Sequence, residues 1–341
     1  MEPSDPKNPS PSTEDSPTFE GPLSFGLISG PGYHNKKGGL DRLMKVLEQH
    51  PEISHHIVSS PLEVAKAVDE LLASSTGLIG VNGGDGTLGM VVTDLIRRGD
   101  MDNMPLLAAL AGGRTNMSHG DLGLKGEPHK AIRRLIKWAA DPSGESTFVS
   151  RTALKLKTKP DDSPLYGFFV GAAAIYRASR VIWENRDATK LPGMKTVLGT
   201  AVHVSSLLTR ILVGKKPFAS TTIEVSIDDE VIEEKEFTVL FVTTLDRMAL
   251  GFKPFWGKSL APLRLTTIAH SHRHFLRAAL AGVRGKTNKY LTREHGFESH
   301  TGWKITLGIN EPVTLDGEVI TPQDDSRIVI EAGPKLTFVQ V

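Results

Sequence analysis

The chain has 341 residues, 39% hydrophobic and 23% charged, which is enough apolar content for two folded domains and excludes a largely disordered or fibrous chain. Forty Lys and Arg against thirty-nine Asp and Glu leave a formal charge of +1, so the chain as a whole lacks the electrostatic excess on which nucleic-acid binding draws. Cysteine is absent, which rules out disulfides, thiolate metal sites and cysteine nucleophiles and fits a reducing compartment.

Residues 1–22, rich in Pro, Ser and acids, have neither a basic start nor an apolar run and read as a disordered tail rather than a secretory signal. Order is expected from Leu23, where LSFGLIS forms a buried strand that breaks at Gly30, Pro31 and Gly32. Leu40, Leu43, Met44 and Leu47 recur at helical spacing, and Ile53 to Val58 reads as the second strand. Ser60 before Pro61 has the form of an N-cap for a helix that turns Val64, Ala67, Val68, Leu71 and Leu72 inward. A third strand, GLIGV, runs into NGGDGT and a helix carrying MVVTDLI. A fourth, PLLAALA, runs into GGRTNMSHGDLGL, and a helix covers Ala131 to Ala139. This alternation predicts an α/β domain with a parallel sheet over residues 23–148.

Past Asp141, Pro142 and Gly144 the texture changes to short β-rich runs, TALKLK, LYGFFVG, TTIEVSID, EFTVLFVTT, LRLTTIA, WKITLGI and RIVIEA. These predict a mainly antiparallel β-sandwich domain over residues 149–341, with the last strand available to return to the first domain. Two helical inserts, Pro192 to Lys215 and His272 to Gly285, interrupt it. Neither they nor any other stretch reaches the roughly 18 uninterrupted apolar residues of a spanning helix. Val197 to Val213 and the basic amphipathic HRHFLRAALAGVRGK fit either a packed surface helix or one lying on anionic lipid. His270, His272 and His274 alternate with no nearby acid, a poor pattern for a metal.

Gly83, Gly84, Asp85, Gly86 and Thr87 follow a buried strand and open a helix, where backbone amides and the positive helix end can hold a phosphate. Glycines let the backbone approach the phosphate oxygens, and Asp85 has the chemistry to orient Mg²⁺. There is no GK[ST] and no Rossmann spacing. The plainer reading is a strand-to-helix turn capped by Asp85, and a D-G turn likewise explains Asp316 and Gly317.

GVNGGDGTLG resembles the signature of the diacylglycerol kinase catalytic domain, shared with sphingosine, ceramide and bacterial lipid kinases; related GGDG loops occur in NAD kinases and phosphofructokinases. The SGPG turn at residues 29–32, the Thr115-Asn116 pair and TLDGE at residues 314–318 fall in the order that family uses. The resemblance implies ATP in a cleft between an α/β and a β-sandwich domain, its γ-phosphoryl passing to the hydroxyl of a diacylglycerol, ceramide or sphingoid lipid at the cytoplasmic face of a membrane. It implies that Gly83 to Gly89, including Leu88, cradle the phosphates, with Gly30, Ser60, Arg114, Thr115 and Asn116 bordering the nucleotide. It implies Mg²⁺ at Asp85 and proton acceptance by Glu318 of the Asp316-Gly317-Glu318 turn. Arg114 and Met117 stand where the family has Thr and Asp; either Arg114 contacts phosphate and Asp121 supplies a displaced carboxylate, or both simply solvate the surface. SLAPLRLTTIA lacks the acids that hold a structural Mg²⁺ in many members, and TTLDRMALGFKPF replaces a segment of the acceptor pocket. A soluble NAD kinase-like enzyme and an inactive lipid or nucleotide sensor are the competing readings. Oligomeric state stays open, a homodimer among the options.

Overall fold

The computed structural model describes residues 17, 19–30, 39–98, 100–113, 116–184, 220–248, 251, 253, 255–257, 260–282, 286–323 and 327–341. Arg114, Thr115, Pro31 and Gly32 and the Val197 to Val213 segment lie outside them, as does the tail up to Ser16.

The first half alternates strand and helix. β1 (Phe25–Ser29), α1 (Gly39–Leu47), β2 (Ser54–Ile57), α2 (Pro61–Ala73), β3 (Leu78–Gly83), α3 (Asp85–Arg98), β4 (Leu106–Ala111), the short α4 (His119–Leu122) and α5 (Pro128–Ala140) follow in order. β2, β1, β3 and β4 pair in parallel in that order. β1 and β3 are buried on both faces, as helix-covered parallel strands must be, which explains their unbroken apolar runs. α2 starts where sequence places it: the Ser60 hydroxyl accepts from the Glu63 amide at 3.3 Å, and Pro61 occupies the first turn, where no amide partner is needed. The Ser59 hydroxyl and amide donate back to the Glu63 carboxylate, closing a reciprocal cap.

The second half is antiparallel. It contains β5 (Thr147–Lys157), β6 (Leu165–Gly167), β7 (Phe169–Ala173), α6 (Ala174–Glu184), β8 (Thr221–Ile227), β9 (Glu230–Thr243), β10 (Leu263–Ala269), α7 (Phe275–Gly282), β11 (Phe297–Gly302), β12 (Lys304–Gly308), β13 (Val313–Leu315), β14 (Glu318–Ile320) and β15 (Arg327–Gln340). Hydrogen-bonded order among the described strands is β14-β13-β7-β9-β8-β12-β15-β4-β3-β1-β2, with β11 joined through β10 to β9 and β6 through β5 to β15. A core of alternating inward residues, among them Leu154, Val170, Val225, Leu240, Leu265, Ile305 and Ile330, fills this half.

One element belongs to both halves. The start of β15 pairs with β12, and its far end lies parallel to β4 with Phe338 opposite Leu107. β5 runs antiparallel along nearly all of it, with a register break between Ala332 and Lys335. Leu336, Phe338, Ala153, Tyr166 and Phe168 accordingly pack in one cluster with Ile28, Ile79, Val91 and Leu107 of the first half. Phe168 and Phe338 meet edge to face at 5.7 Å. Among the described residues no helix is long and apolar enough to cross a membrane.

Phe338 is fully buried at this seam. Phe338→Ala is expected to cost about 3–5 kcal/mol of stability and to lower both halves in one urea transition. A loss under about 1 kcal/mol, or separate transitions, would show that the seam does not join the halves.

Candidate active site

The glycine motif is mostly not a loop. β3 runs through Gly83 and α3 begins at Asp85, so Gly84 alone lies between strand and helix. The first turn of α3 thus presents its unbonded amides at the carboxyl edge of the parallel sheet, where such folds bind ligands. Thr87 is buried in that turn, and Leu88 faces the core. A methyl group on Gly30 or Gly83 would fall 2.4 or 2.6 Å from the Thr87 side chain, so these two glycines make room for the threonine that locks the turn.

The second glycine pair lies directly against the first. A methyl group on Gly113 would sit 2.3 Å from the Gly84 Cα, which is backbone on backbone with nothing able to yield. Asn116, at φ 47°, folds its amide back on this loop: Oδ1 accepts from the Gly113 amide at 2.9 Å and Nδ2 donates to the Gly113 carbonyl at 3.0 Å. The side chain expected to border the nucleotide therefore shapes its wall.

Asp85 ties the two loops together. It is 6% exposed, and its carboxylate accepts from the amides of Met117 and Ser118, both at 2.8 Å. Each oxygen thus receives a charge-assisted hydrogen bond, which offsets part of the cost of burying the acid.

Across from α3 stands the turn between β13 and β14. Asp316, also 6% exposed and at φ 49°, accepts from the amides of Phe168 and Phe169, and its own amide donates to the Phe169 carbonyl at 2.8 Å. Asp316 was expected among the catalytic acids. In the structure it is buried, like Asp85, with the Phe168 and Phe169 amides on its two oxygens. Burial first, and then the nearby Asp85 charge, push its carboxyl pKa well above the usual 3.8, against the pull of the Phe168 and Phe169 amides. Two glycines admit the turn: a methyl group on Gly167 would lie 2.3 Å, and one on Gly89 3.2 Å, from Asp316 Oδ2. Thr93 of α3 donates to the Tyr166 carbonyl at 3.1 Å and accepts from its amide at 2.9 Å, fixing helix and hairpin in one frame.

Glu318, two residues on, is exposed at the start of β14 and reaches back over α3. A methyl group on Gly86 would fall 2.6 Å from Glu318 Oε1. A carboxylate thus stands over the first turn of the helix. Asp85 and Glu318 are the acids flanking that turn, and such a pair fits Mg²⁺ held mainly by phosphates and water rather than by a protein cage.

Asp121 does not supply a displaced carboxylate beside Asp85. It is buried and receives Arg151 at 2.7 and 3.1 Å together with the Asp246 amide at 2.9 Å. Arg151 also binds the Asp246 carboxylate, which takes Arg264 at 2.5 Å. Burial alone would raise the Asp246 pKa, but the charges of Arg151 and Arg264 overcome it and hold the carboxyl below its usual range. This ladder pins the segment after β9 to α4, and sequence gave no hint of it, since Arg151 lies 30 residues from Asp121 and 95 from Asp246. Met117, in the family's acid position, packs beside Phe169, Phe241 and Met248. The basic helix α7 packs on Leu291 and Phe297 through the buried Ala278. His272 Nδ1 lies 2.8 Å from the Ala269 carbonyl, as expected of a structural histidine.

Residues 30–143 match the model of the diacylglycerol kinase catalytic domain. No curated protein sequence matches it. Two solved structures, both candidate diacylglycerol kinases from Bacillus anthracis str. Sterne, share the fold over 95% of this chain and 98% of theirs. Their identities are 18% and 17%, and their TM-scores 0.61 and 0.59. The α/β domain followed by an antiparallel sheet is the architecture of those kinases.

Two expectations follow from this geometry. Gly113→Ala should abolish nucleotide binding, read by calorimetry, while circular dichroism stays native; wild-type affinity would show that the glycine contact is not needed. For Asp316, the folded pKa exceeds the unfolded value of 3.8, so the folded state holds the proton more tightly and stability falls as pH rises above 3.8. Asp316→Asn keeps an accepting oxygen without the charge. It should be at least as stable as wild type at pH 7 in urea titrations, its advantage vanishing below about pH 4. A loss at pH 7 that shrinks as the pH falls would instead assign the carboxylate a stabilising charge.

Proposed function

We propose that this kinase domain and its β-rich partner together form an ATP-dependent lipid kinase, which passes the γ-phosphoryl group to the hydroxyl of a diacylglycerol, ceramide or sphingoid lipid at a membrane surface. The observation that carries the reading is Glu318 standing over Gly86, at the first turn of α3, while Asp85 and Gly113 hold a second loop against the same turn. The family match and the names given to the fold's relatives support the phosphoryl chemistry and a lipid acceptor.

In this reading the phosphates of ATP lie on the amides of Gly84 to Thr87, where the helix end favours negative charge. Mg²⁺ bound with the nucleotide supplies charge neutralisation. Glu318 accepts the hydrogen bond of the lipid hydroxyl and takes its proton as that oxygen bonds to the γ-phosphorus and the bond to the β-phosphate oxygen breaks, releasing ADP. Asp316 sets where Glu318 stands, because its two amide bonds fix the hairpin from which Glu318 projects. Phosphoryl transfer asks the protein mainly for positioning, and the rigid hairpin provides it.

Transfer of labelled γ-phosphate to lipids in mixed micelles tests the reading. Glu318→Gln changes an exposed side chain and should lower transfer roughly 10²–10⁴-fold with ATP binding kept. Unchanged transfer in the variant removes Glu318 from the reaction. Phosphorylation of NAD with every lipid untouched makes the protein a soluble nucleotide kinase, and ATP binding without any turnover makes it a sensor.

A further inference from the structure

The chain is close to neutral, yet residues 270–300 carry six Lys or Arg against two Glu, a net of +4, and five of the twelve histidines. The remainder is therefore net negative. Among the described residues, two of these cations lie against one ring. Arg277 of α7 lies 5.4 Å from the Tyr290 ring centre and donates to its hydroxyl at 3.0 Å, and Lys289 lies 5.3 Å from the same ring. His274 and His295 stand 5.0 and 5.9 Å from Tyr290 and 5.2 Å from each other. The Arg273 amide donates to the His295 carbonyl at 3.0 Å, which brings Arg273 and the neighbouring Arg293 to the same place. Arg273, Arg277, Lys286, Lys289 and Arg293 are all exposed. Of the two acids, Glu298 is buried and takes His300 and Lys235, which help hold its pKa at about 2, and its carboxylate lies 3.8 Å from Arg293. Burial would raise the Tyr290 hydroxyl pKa, yet Arg277 and Lys289 lower it, a sign of the positive field at that spot.

We propose that this face, built from α7 and residues 286–295, is the surface by which the protein docks on an anionic lipid bilayer. Each exposed cation near such a surface is attracted by the negative leaflet, and several close together in the chain add. Arg and Lys extend their apolar stems past Tyr290, whose phenol suits the headgroup level, so the face has both partners that an interface asks for. A bilayer fits better than a nucleic acid. A local cationic face suffices for an anionic sheet, whereas the chain as a whole, at +1, lacks the excess charge on which nucleic-acid binding draws. The docking is separate from the phosphoryl chemistry and needs neither ATP nor Glu318.

The test is sedimentation of the full chain with phosphatidylcholine vesicles, with or without phosphatidylglycerol, in the absence of ATP. Binding should require phosphatidylglycerol and weaken as salt rises from 50 to 300 mM. Lys286→Gln with Lys289→Gln should weaken it on the order of 25-fold, about fivefold for each charge. Lys66→Gln with Lys130→Gln, in the first half, should leave it unchanged. Equal binding to neutral vesicles, equal loss in both double variants, or no vesicle binding alongside tight binding of single-stranded RNA overturns the proposal. Because sedimentation needs no turnover, an inactive enzyme that still binds vesicles would count against the kinase reading and not against this surface.

Discussion

The site rests on two buried carboxylates that never touch solvent freely. Asp85 receives the amides of Met117 and Ser118, and Asp316 those of Phe168 and Phe169. A buried charge is costly unless hydrogen bonds meet it, so each acid fixes the segment whose amides it needs. Asp85 fastens the loop after β4 to the start of α3, and Asp316 fastens the β13–β14 turn to β7. Their mutual repulsion contributes to the raised pKa of Asp316, which also shows how near the two anchors stand.

Around these anchors the halves of the molecule are coupled by backbone and by charge. β15 carries the antiparallel sheet into the parallel one, with Phe338 opposite Leu107. The ladder of Asp121, Arg151, Asp246 and Arg264 does the same on the surface beside α4. α4 follows directly on the residues that Asp85 holds, so the ladder reaches the phosphate loop through a single turn of helix. The segment after β9, where the sequence departs most from the lipid-kinase pattern, is thereby held against the first half rather than left as an open loop. Substitutions that look like losses, Met117 for an acid and Asp121 displaced along the chain, are absorbed into a packed cluster and an ion pair.

Much of this was legible in the residues themselves. Apolar runs ending in glycine placed β1, β3 and β4, helical spacing placed α1 to α3, and Ser60 with Pro61 marked the start of α2, because those signals are local consequences of burial and of unbonded helix amides. The change of texture near Asp141 likewise announced an antiparallel half. GGDGT and TLDGE mark two segments that the structure brings together, since glycine is demanded where backbone or side chain approaches closely.

The sequence by itself determined which residues would stand at the ends of the strands and which chemistry they offered. Only the tertiary structure decided what each does there. Asp316 and Glu318 are two residues apart and look alike in sequence, yet one is buried under the amides of Phe168 and Phe169 while the other stands exposed over Gly86. Asn116 turned to its own loop, Ser60 to its own helix and Asp121 to an arginine 30 residues away. The reason is physical: local pattern records the conformation a residue favours and whether it is buried, whereas a hydrogen bond or ion pair across the chain depends on where two distant segments come to rest.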